Sequence, residues 1–262
     1  MRFLVYVGPA PSREAVVGWC ARHAGDLASA VTLVSGGGRL DLVRSAAAQI
    51  ALPGVALEQL ALPGNAQQAI LTTARRHPYD LVVFGRLNRA LTRLLPRPRS
   101  KTIAQRLEPS VLRVQGEPRP LRRILLTSGG DETTLANADL VARLARPLGA
   151  SVTLLHVRSQ VSLVFAPPGQ EPPAPEVAPE LAVLRTAQAR LADAGVVAEI
   201  SVRTGPVLAE VLAELRDGDY DLLVIGAHRT GSALDRILLE DVTGDLLDAS
   251  PISTLVVKPG GK

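Results

Sequence analysis

One segment of this 262-residue chain occurs in two related copies. Residues 64–85 read GNAQQAILTTARRHPYDLVVFG, and residues 205–226 read GPVLAEVLAELRDGDYDLLVIG. The two segments align without a gap at an offset of 141, so that Tyr79 matches Tyr220. Self-similarity at a fixed spacing is the signature of a duplicated structural unit. The repeat therefore predicts that the chain folds as two copies of one small domain.

Each copy of the segment has the pattern of a helix followed by a buried strand. We expect the helices to bury Ile70 and Leu71 in the first copy, and Val211 and Leu212 in the second. The apolar runs after the helices predict strands at 81–84 and 222–225. Short, continuous apolar runs of this kind are typical of parallel strands that are covered on both faces. We expect the tyrosine before each strand to anchor its edge.

The beginnings of the two copies also match, at an offset of 121. Residues 3–7 correspond to residues 124–128, and both runs predict a first strand. Each run is followed by a glycine, Gly8 or Gly129, and then by a helical stretch. Strands that alternate with helices predict a parallel sheet with helices on both faces.

The domain limits follow from the two offsets. We predict domains at 1–115 and 121–258, with a short linker rich in proline between them. The offset grows from 121 to 141 because the second copy contains a proline-rich insert at about 159–178. Two interpretations of the insert stay open: a tolerated surface loop, or an extended strip that binds a partner.

Composition excludes several other classes of protein. The apolar content of 47% supports folded cores rather than disorder. The single cysteine, Cys20, excludes an intrachain disulfide and any cysteine-clustered metal site, and we expect it to be a buried, inert thiol. No segment has the roughly 18 apolar residues of a membrane span, and the first residues form too short an apolar run for a signal peptide. We therefore expect a cytoplasmic protein without a membrane partner.

Charge is unequally divided between the copies. Residues 1–118 contain 15 Lys and Arg against 7 Asp and Glu, whereas residues 119–262 contain 14 against 18. The basic first copy favours anionic ligands, but the acidic second copy opposes general binding to nucleic acid. Aromatic residues make up only 3% of the chain, so stacking platforms for single strands are scarce. We therefore do not expect nucleic acid as a partner.

The second copy opens with RRILLTSGGDETT and closes with DLLVIGAHRTGSALDRILLEDVTGDLLDASPISTLVVKP. These stretches resemble the universal stress protein family, and the resemblance extends, more weakly, over the first copy. It implies an α/β fold of two tandem Rossmann-like domains related to the adenine nucleotide alpha hydrolases, each with a five-stranded parallel sheet and helices on both faces. It also implies that domains pair through their last strands, here Val111–Val114 and Thr254–Val257, either within one chain or in a homodimer.

Many members of that family bind ATP, and the resemblance implies adenine nucleotides, ATP or AMP, as candidate ligands. The family signature is a glycine, two residues, a glycine, nine residues, and then Gly-Ser or Gly-Thr, with an Asp after the first strand. Both copies depart from this pattern. Gly8 and Gly129 stand where the Asp belongs, and Asn88 and Arg229 replace the second glycine. The spacer is ten residues long in both copies.

The pairs that end the two spacers have opposite charge. Arg99-Ser100 ends the first, which contains several other arginines, and Glu240-Asp241 ends the second. Arginine suits phosphate recognition, whereas two carboxylates repel phosphates. The candidate nucleotide-binding residues are Gly8, Gly85, Asn88, Arg99, Ser100, Gly129, Gly226, Arg229 and Gly231. We expect any phosphate ligand to favour the first copy.

No pattern of residues indicates catalysis or a metal site. The leading hypothesis is a non-enzymatic stress-response or regulatory protein that acts by binding a ligand or a protein partner. The alternative is an ATP- or AMP-binding sensor, or a weak ATPase, that uses the loop of the first domain.

Overall fold

The strands and helices alternate along the chain as the repeat predicts. The structure is a computed structural model that describes residues 1–50, 52–87, 106–158, 179–226 and 242–258. Its chain divides into two units. Unit 1 consists of Met1–Pro120 and Leu247–Lys262, and unit 2 consists of Leu121–Leu246. The predicted domain limits, 1–115 and 121–258, stay a prediction, and the proline-rich insert lies outside the described residues.

Unit 1 is built on a parallel ladder of five strands. In chain order, the strands are β1 (Arg2–Tyr6), β2 (Ala30–Ser35), β3 (Ala56–Ala61), β4 (Leu81–Phe84) and β5 (Ser110–Arg113). The helices are α1 (Ser12–Leu27), α2 (Leu40–Gln49) and α3 (Ala66–Ala74). The strands lie in the order β3-β2-β1-β4-β5, and every neighbouring pair is parallel.

Unit 2 repeats this arrangement. Its strands are β6 (Arg123–Ser128), β7 (Ser151–Arg158), β8 (Ala198–Thr204) and β9 (Leu222–Gly226). Its helices are α4 (Thr133–Leu148), α5 (Pro179–Asp193) and α6 (Val207–Asp217). The strands lie in the order β8-β7-β6-β9, again all parallel. A further helical stretch at 242–249 precedes β10 (Ser253–Val257), a strand that belongs to unit 1. The predicted α/β class and the tandem Rossmann-like organisation are confirmed.

The inner strands form the cores because apolar side chains cover both of their faces. Every residue of β4, β5, β9 and β10 is buried.

The helices of the repeated segment differ from the prediction at one position in each copy. Ile70 and Val211 are fully buried as expected, but Leu71 and Leu212 are only half-buried. The residue next to a buried helical position is rotated by roughly 100° away from it, and so it lies at the margin of the apolar stripe.

The last strands of the two copies pair with each other. β5 and β10 are antiparallel, with Leu112 opposite Leu255 at the centre of the register. Hydrogen bonds at the two ends are reciprocal. The backbone N–H of Lys258 donates to Ser110 Oγ, and that of Gln115 donates to Ser253 Oγ, both at 3.1 Å. This local twofold symmetry is what a self-complementary contact between two copies of one strand requires.

A chain of hydroxyl hydrogen bonds fastens the edge strand of unit 1. Tyr79 Oη donates to Thr32 Oγ1 at 3.1 Å, and Thr32 Oγ1 donates to Glu58 Oε2 at 3.0 Å. Thr32 and Glu58 are also direct partners in the ladder between β2 and β3. In the inner strands, apolar burial fixes the pairing register. Because β3 is largely exposed, these hydrogen bonds fix the register between β2 and β3 instead.

Unit 2 contains the same device with an added charge. Thr153 Oγ1 donates to Glu199 Oε1 at 2.9 Å across β7 and β8. Tyr220 Oη donates to Glu214 Oε1 on α6 at 2.8 Å, and the guanidinium of Arg123 lies 5.1 Å from the centre of its ring. Tyr79 is thus bonded to the strand ladder and Tyr220 to α6, and the role of both as edge anchors stays a prediction.

Candidate functional site

Ligand sites in open α/β sheets lie outside the carboxyl ends of the strands, at the point where the strand order reverses. In unit 1 the chain proceeds from β1 outward to β3 and returns to β4 on the other side of β1. In unit 2 the corresponding reversal lies between β6 and β9. The candidate sites are therefore the unit 1 crevice, at the ends of β1 and β4, and the unit 2 crevice, at the ends of β6 and β9.

An aromatic ring borders the β1 side of the unit 1 crevice. Gly8 follows β1 and is buried, and a Cβ atom added to it would lie 3.1 Å from Cε1 of Tyr6. Burial raises the pKa of the Tyr6 phenol, and a hydrogen bond with the backbone of Gly36 partly offsets that rise. The ring thus occupies the space into which a side chain at position 8 would extend.

The β4 side of the unit 1 crevice is closed by the first turns of α1. A Cβ atom on Gly85 would collide with Ser12 Oγ, and it would lie 3.0 Å from the backbone oxygen of Ser12 and 3.1 Å from Cγ2 of Val16. Only a glycine allows α1 to approach the end of β4 this closely. Val16 is 1% exposed, so the wall that it forms is apolar.

Two guanidinium groups lie at the carboxyl ends of β4 and β5. Arg86 follows Gly85 and is exposed, whereas Arg113 is 5% exposed and its Nη2 donates to the backbone oxygen of Ser250 at 3.1 Å. Burial lowers the pKa of Arg113; Asp248 opposes this effect and the charge of Arg86 adds to it. Arginine stays protonated under such conditions because its ordinary pKa lies far above neutrality. This edge of unit 1 therefore carries buried positive charge.

Hydroxyl groups line the β6 side of the unit 2 crevice. Ser128, the last residue of β6, shares a hydrogen bond of 2.8 Å with Thr134 Oγ1, and the backbone N–H of Gly130 donates to Ser128 Oγ at 3.0 Å. Ser128 and Thr134 are both buried. At the offset of 121, the first copy has Val7 in place of Ser128. The same edge is therefore polar in unit 2 and apolar in unit 1.

A carboxylate begins the helix behind this crevice. Asp131 Oδ1 accepts hydrogen bonds from the backbone N–H of Thr133 at 3.1 Å and from its Oγ1 at 2.6 Å. Glu132 follows and is exposed. Negative groups at a helix start complement the partial positive charge of the helix dipole. The carboxylates of Asp131 and Glu132 thus already provide the negative charge that the amino end of α4 favours.

The buried histidine of β7 packs beside the same edge. His156 is 8% exposed, and its Nδ1 lies 3.1 Å from the backbone oxygen of Ser128. A carbonyl oxygen can only accept, so Nδ1 is the donor of this hydrogen bond. A little further along β7, the Nε of Arg158 lies 3.4 Å from Glu180 Oε1. The histidine is therefore a packed, hydrogen-bonded residue.

An asparagine closes the β9 side of the unit 2 crevice. A Cβ atom on Gly226 would collide with Nδ2 of Asn137 and would lie 3.2 Å from its Cγ. Asn137 is on the second turn of α4 and is 5% exposed. No hydrogen bond joins its amide to any residue in the described parts of the chain. It corresponds to Val16 at the offset of 121.

Four of the nine predicted nucleotide-binding residues lie in these crevices. Gly8 and Gly129 follow β1 and β6, Gly85 follows β4, and Gly226 ends β9. The predicted residues Asn88, Arg99, Ser100, Arg229 and Gly231 lie outside the described residues, as does the Glu240-Asp241 pair. Sequence reasoning did not single out Asn137, although comparison of α1 with α4 at the offset of 121 would have shown an amide opposite a valine.

Metal-binding clusters and membrane-spanning helices are absent from the described parts of the chain. Within residues 1–50, 52–87, 106–158, 179–226 and 242–258, no three His, Cys, Asp or Glu residues form a group that could hold a metal ion. Among the helices described, none has the length and apolar character to cross a membrane.

The fold and the crevices define a tandem Rossmann-like α/β protein. A model of the universal stress protein family matches residues 120–258, which is more than half of the chain. The chain therefore belongs to the universal stress protein family, a class of stress-response proteins. No curated protein sequence matches it.

Solved structures show the same fold over nearly the whole chain. A universal stress protein from Archaeoglobus fulgidus DSM 4304 is 13% identical with a TM-score of 0.71, and the alignment covers 99% of this chain and 96% of that chain. A protein of unknown function from Pseudomonas aeruginosa PAO1 is 17% identical with a TM-score of 0.65, covering 98% and 92%. At these identities the likeness concerns the fold alone.

Proposed function

We propose that this protein is a non-enzymatic regulatory member of its family that acts by binding a ligand or a protein partner and does not hydrolyse ATP. One observation carries the proposal. The position after β1, where the family resemblance implies a nucleotide-contacting Asp, is Gly8, and the ring of Tyr6 occupies the adjoining space. Gly129 stands at the corresponding position of unit 2. A side chain that contacts the nucleotide is thus missing from both copies.

Phosphoryl transfer depends on positioned groups that stabilise the charge spreading over the phosphate. In unit 2 the carboxylates of Asp131 and Glu132 lie at the start of α4 and oppose a polyphosphate. In unit 1 the cations Arg86 and Arg113 favour an anion, but neither can act as a base. Binding without turnover is the function that these groups support.

The alternative function is an ATP- or AMP-binding sensor, or a weak ATPase, in the first domain. The positive charge of unit 1 favours this alternative. Arg86 and Arg113 lie at the carboxyl ends of β4 and β5, and the sequence after Arg86 contains further arginines. We propose Gly8, Gly85, Asn88, Arg99 and Ser100 as the ligand-binding set in that domain. The weaker set in the second domain is Gly129, Gly226, Arg229 and Gly231.

The partner, in the absence of a small ligand, is another protein or a second copy of this chain. The reciprocal bonds of Ser110 and Ser253 support pairing of the last strands within one chain. We propose that this pairing satisfies the strand edge that single-domain relatives would use for a homodimer. A cytoplasmic location stays a prediction.

The decisive experiment measures ligand and turnover separately. Mass spectrometry of small molecules released from the denatured protein should detect no nucleoside triphosphate stoichiometric with the chain. Phosphate release from ATP with Mg²⁺ or Mn²⁺ should stay at the level of an Arg99→Glu, Ser100→Ala control. Turnover above roughly 1 per minute that the control loses would contradict the proposal, since ordinary enzymes turn over about 10 times per second.

A further inference from the structure

The outer strand of unit 2 has an open edge. β8 pairs with β7, and no other strand among the described residues pairs with it. The carbonyl oxygen of Val197, just before β8, accepts a hydrogen bond from β7, and the backbone N–H of Gly205 donates to the last carbonyl of β7. Backbone groups alternate in direction along a strand, so the odd-numbered residues of β8 face β7. Ile200 and Val202 therefore direct their N–H and C=O groups outward.

The surroundings of this edge leave its centre accessible. Gln188 Nε2 of α5 donates to the oxygen of Ala198 at 2.8 Å, so a side chain already satisfies the outward carbonyl at the start of the strand. Further along, Val202 is 42% exposed and Ile200 is half-buried. An exposed edge with apolar side chains is a template for pairing with a further strand.

The other face of β8 carries two opposite charges, four residues apart. Glu199 Oε1 accepts from Thr153 Oγ1 at 2.9 Å. Arg203 is held through Nε and Nη1 by three carboxylates of α6, and its side chain is 27% exposed. None of these bonds uses Nη2, so the guanidinium keeps donors for a further acceptor. Because both groups are already held in place, a new ion pair would cost them little side-chain freedom.

We infer that β8 pairs with β8 of a second copy of this chain, antiparallel and centred on Ser201. The inference rests on the proposed function of a partner-binding protein, and it names the partner. In this register Ile200 of each copy lies opposite Val202 of the other, and the two pairs exchange four backbone hydrogen bonds. Glu199 of each copy lies opposite Arg203 of the other, in the non-hydrogen-bonded pairs that bring side chains closest together. The contact is self-complementary, as a twofold interface requires.

The charges select this register over its neighbours. Only residues that both face outward can exchange backbone bonds, so the second strand can slip by two residues but not by one. A slip of two residues in either direction places Ser201 opposite one of the charges and separates Glu199 from Arg203. The centred register alone pairs both charges of each strand.

β3, the corresponding edge strand of unit 1, lacks this self-complementarity. Glu58 matches Glu199 at the offset of 141, and it makes the same internal bond, to Thr32. Leu62 stands where unit 2 has Arg203, and β3 itself contains no Lys or Arg. Glu58 is therefore the matched control for the charge of Glu199.

Analytical ultracentrifugation of the full chain tests the pairing. Contacts as small as one strand pair are weak, so the protein should be followed from about 1 µM to about 500 µM, and the wild type should associate to a dimer. Glu199→Gln keeps an acceptor for Thr153 but removes the charge, and it should weaken the dimer about tenfold. Glu58→Gln should leave the dimer unchanged.

Disulfide cross-linking tests the register. In the centred register the Cα atoms of the two Ser201 residues are about 4.5 Å apart, within the range that a disulfide spans. Ser201→Cys should therefore form a covalent dimer on oxidation with diamide. Val202→Cys is the control, because its two copies would be about 9 Å apart. The native thiol, Cys20, is fully buried and should not contribute.

Three results would overturn the inference. The first is a monomer at every concentration, which would mean that the edge is covered within the chain or by another protein. The second is a dimer that Glu199→Gln and Glu58→Gln affect equally, which would assign it to another surface. The third is equal cross-linking at positions 201 and 202.

These results leave the proposed absence of turnover untouched, because the phosphate-release measurement decides it. Conversely, ATP hydrolysis that depends on Arg99 and Ser100 would refute the proposed function and leave the association of the chain unchanged.

Discussion

The unit 1 crevice and the unit 2 crevice have the same backbone arrangement, but apolar side chains line the first and polar side chains line the second. In unit 1, Tyr6 and Val16 present an aromatic ring and a branched apolar side chain to the two glycines of the crevice. In unit 2, the wall consists of Ser128 and Thr134, bonded to each other, and of Asn137. The two copies thus share the close approach of helix to strand, but a ring and an apolar side chain border it in unit 1, and hydrogen-bonding groups border it in unit 2. The predictions that follow test this contrast.

The largest effect is expected from placing the unit 2 residue in unit 1. Val16→Asn should destabilise the protein by about 3 kcal/mol, because it removes a buried apolar side chain and leaves an amide without a partner. Chemical denaturation of the variant, compared with Asn137→Val, measures the difference. A loss under about 1 kcal/mol, within the usual scatter of single substitutions, would show that unit 1 can satisfy an amide at this place and that the crevices are equivalent.

The glycines at the ends of β4 and β9 give a smaller contrast. Gly85→Ala should cost about 1–3 kcal/mol, since its Cβ atom meets the backbone oxygen of Ser12, which cannot move without moving α1. Gly226→Ala should cost less, because its Cβ atom meets only the side chain of Asn137, which can rotate. Thermal unfolding of both variants checks the order. The reverse order would mean that the helix in unit 2 is the more tightly packed of the two.

The sequence predicts the repeated elements well because a periodic apolar pattern determines them. The strands predicted at 81–84 and 222–225 differ from β4 and β9 by at most one residue. Leu71 and Leu212 were predicted to be buried and are half-buried, because adjacent apolar residues do not show which one the helix turns inward. Element boundaries are the part of a fold that local patterns determine least.

The sequence predicts the candidate site less completely than the fold. The glycines of the loops could be located because the repeat aligns them, but the partners of each glycine depend on the approach of α1 and α4 in three dimensions. Asn137 lies nearly 90 residues before Gly226, so no local motif connects them. Its close approach to Gly226 is a property of the packed state. Only a comparison of the two copies at the position of Val16 suggests it in advance.

The tyrosine anchors differ in the charge of their surroundings. Tyr79→Phe removes a neutral hydrogen bond and should cost about 1 kcal/mol, whereas Tyr220→Phe removes a bond to a carboxylate and should cost somewhat more, about 1.5 kcal/mol. Burial raises the pKa of Tyr220, and its bond to Glu214 contributes to the rise. A raised pKa gives stability that is complete below the ordinary value near 10 and is lost as pH rises above it. Tyr220→Phe should therefore weaken the alkaline loss of stability. An unchanged alkaline profile would contradict the anchoring role.

A small change in stability is expected at Cys20, whose counterpart in unit 2 is Val141. Both side chains are fully buried, so Cys20→Val, a swap of similar volume, should alter stability by less than about 1.5 kcal/mol at neutral pH. Burial raises the pKa of the Cys20 thiol from 9.0 to about 12. Because the thiol ionises first in the unfolded state, the free energy of unfolding falls as pH rises from 9.0 to about 12. The valine variant should lack that part of the loss, and the wild-type thiol should react with a thiol reagent only after denaturation. Rapid labelling of the native protein would show that α1 opens readily and would contradict the inert, buried thiol.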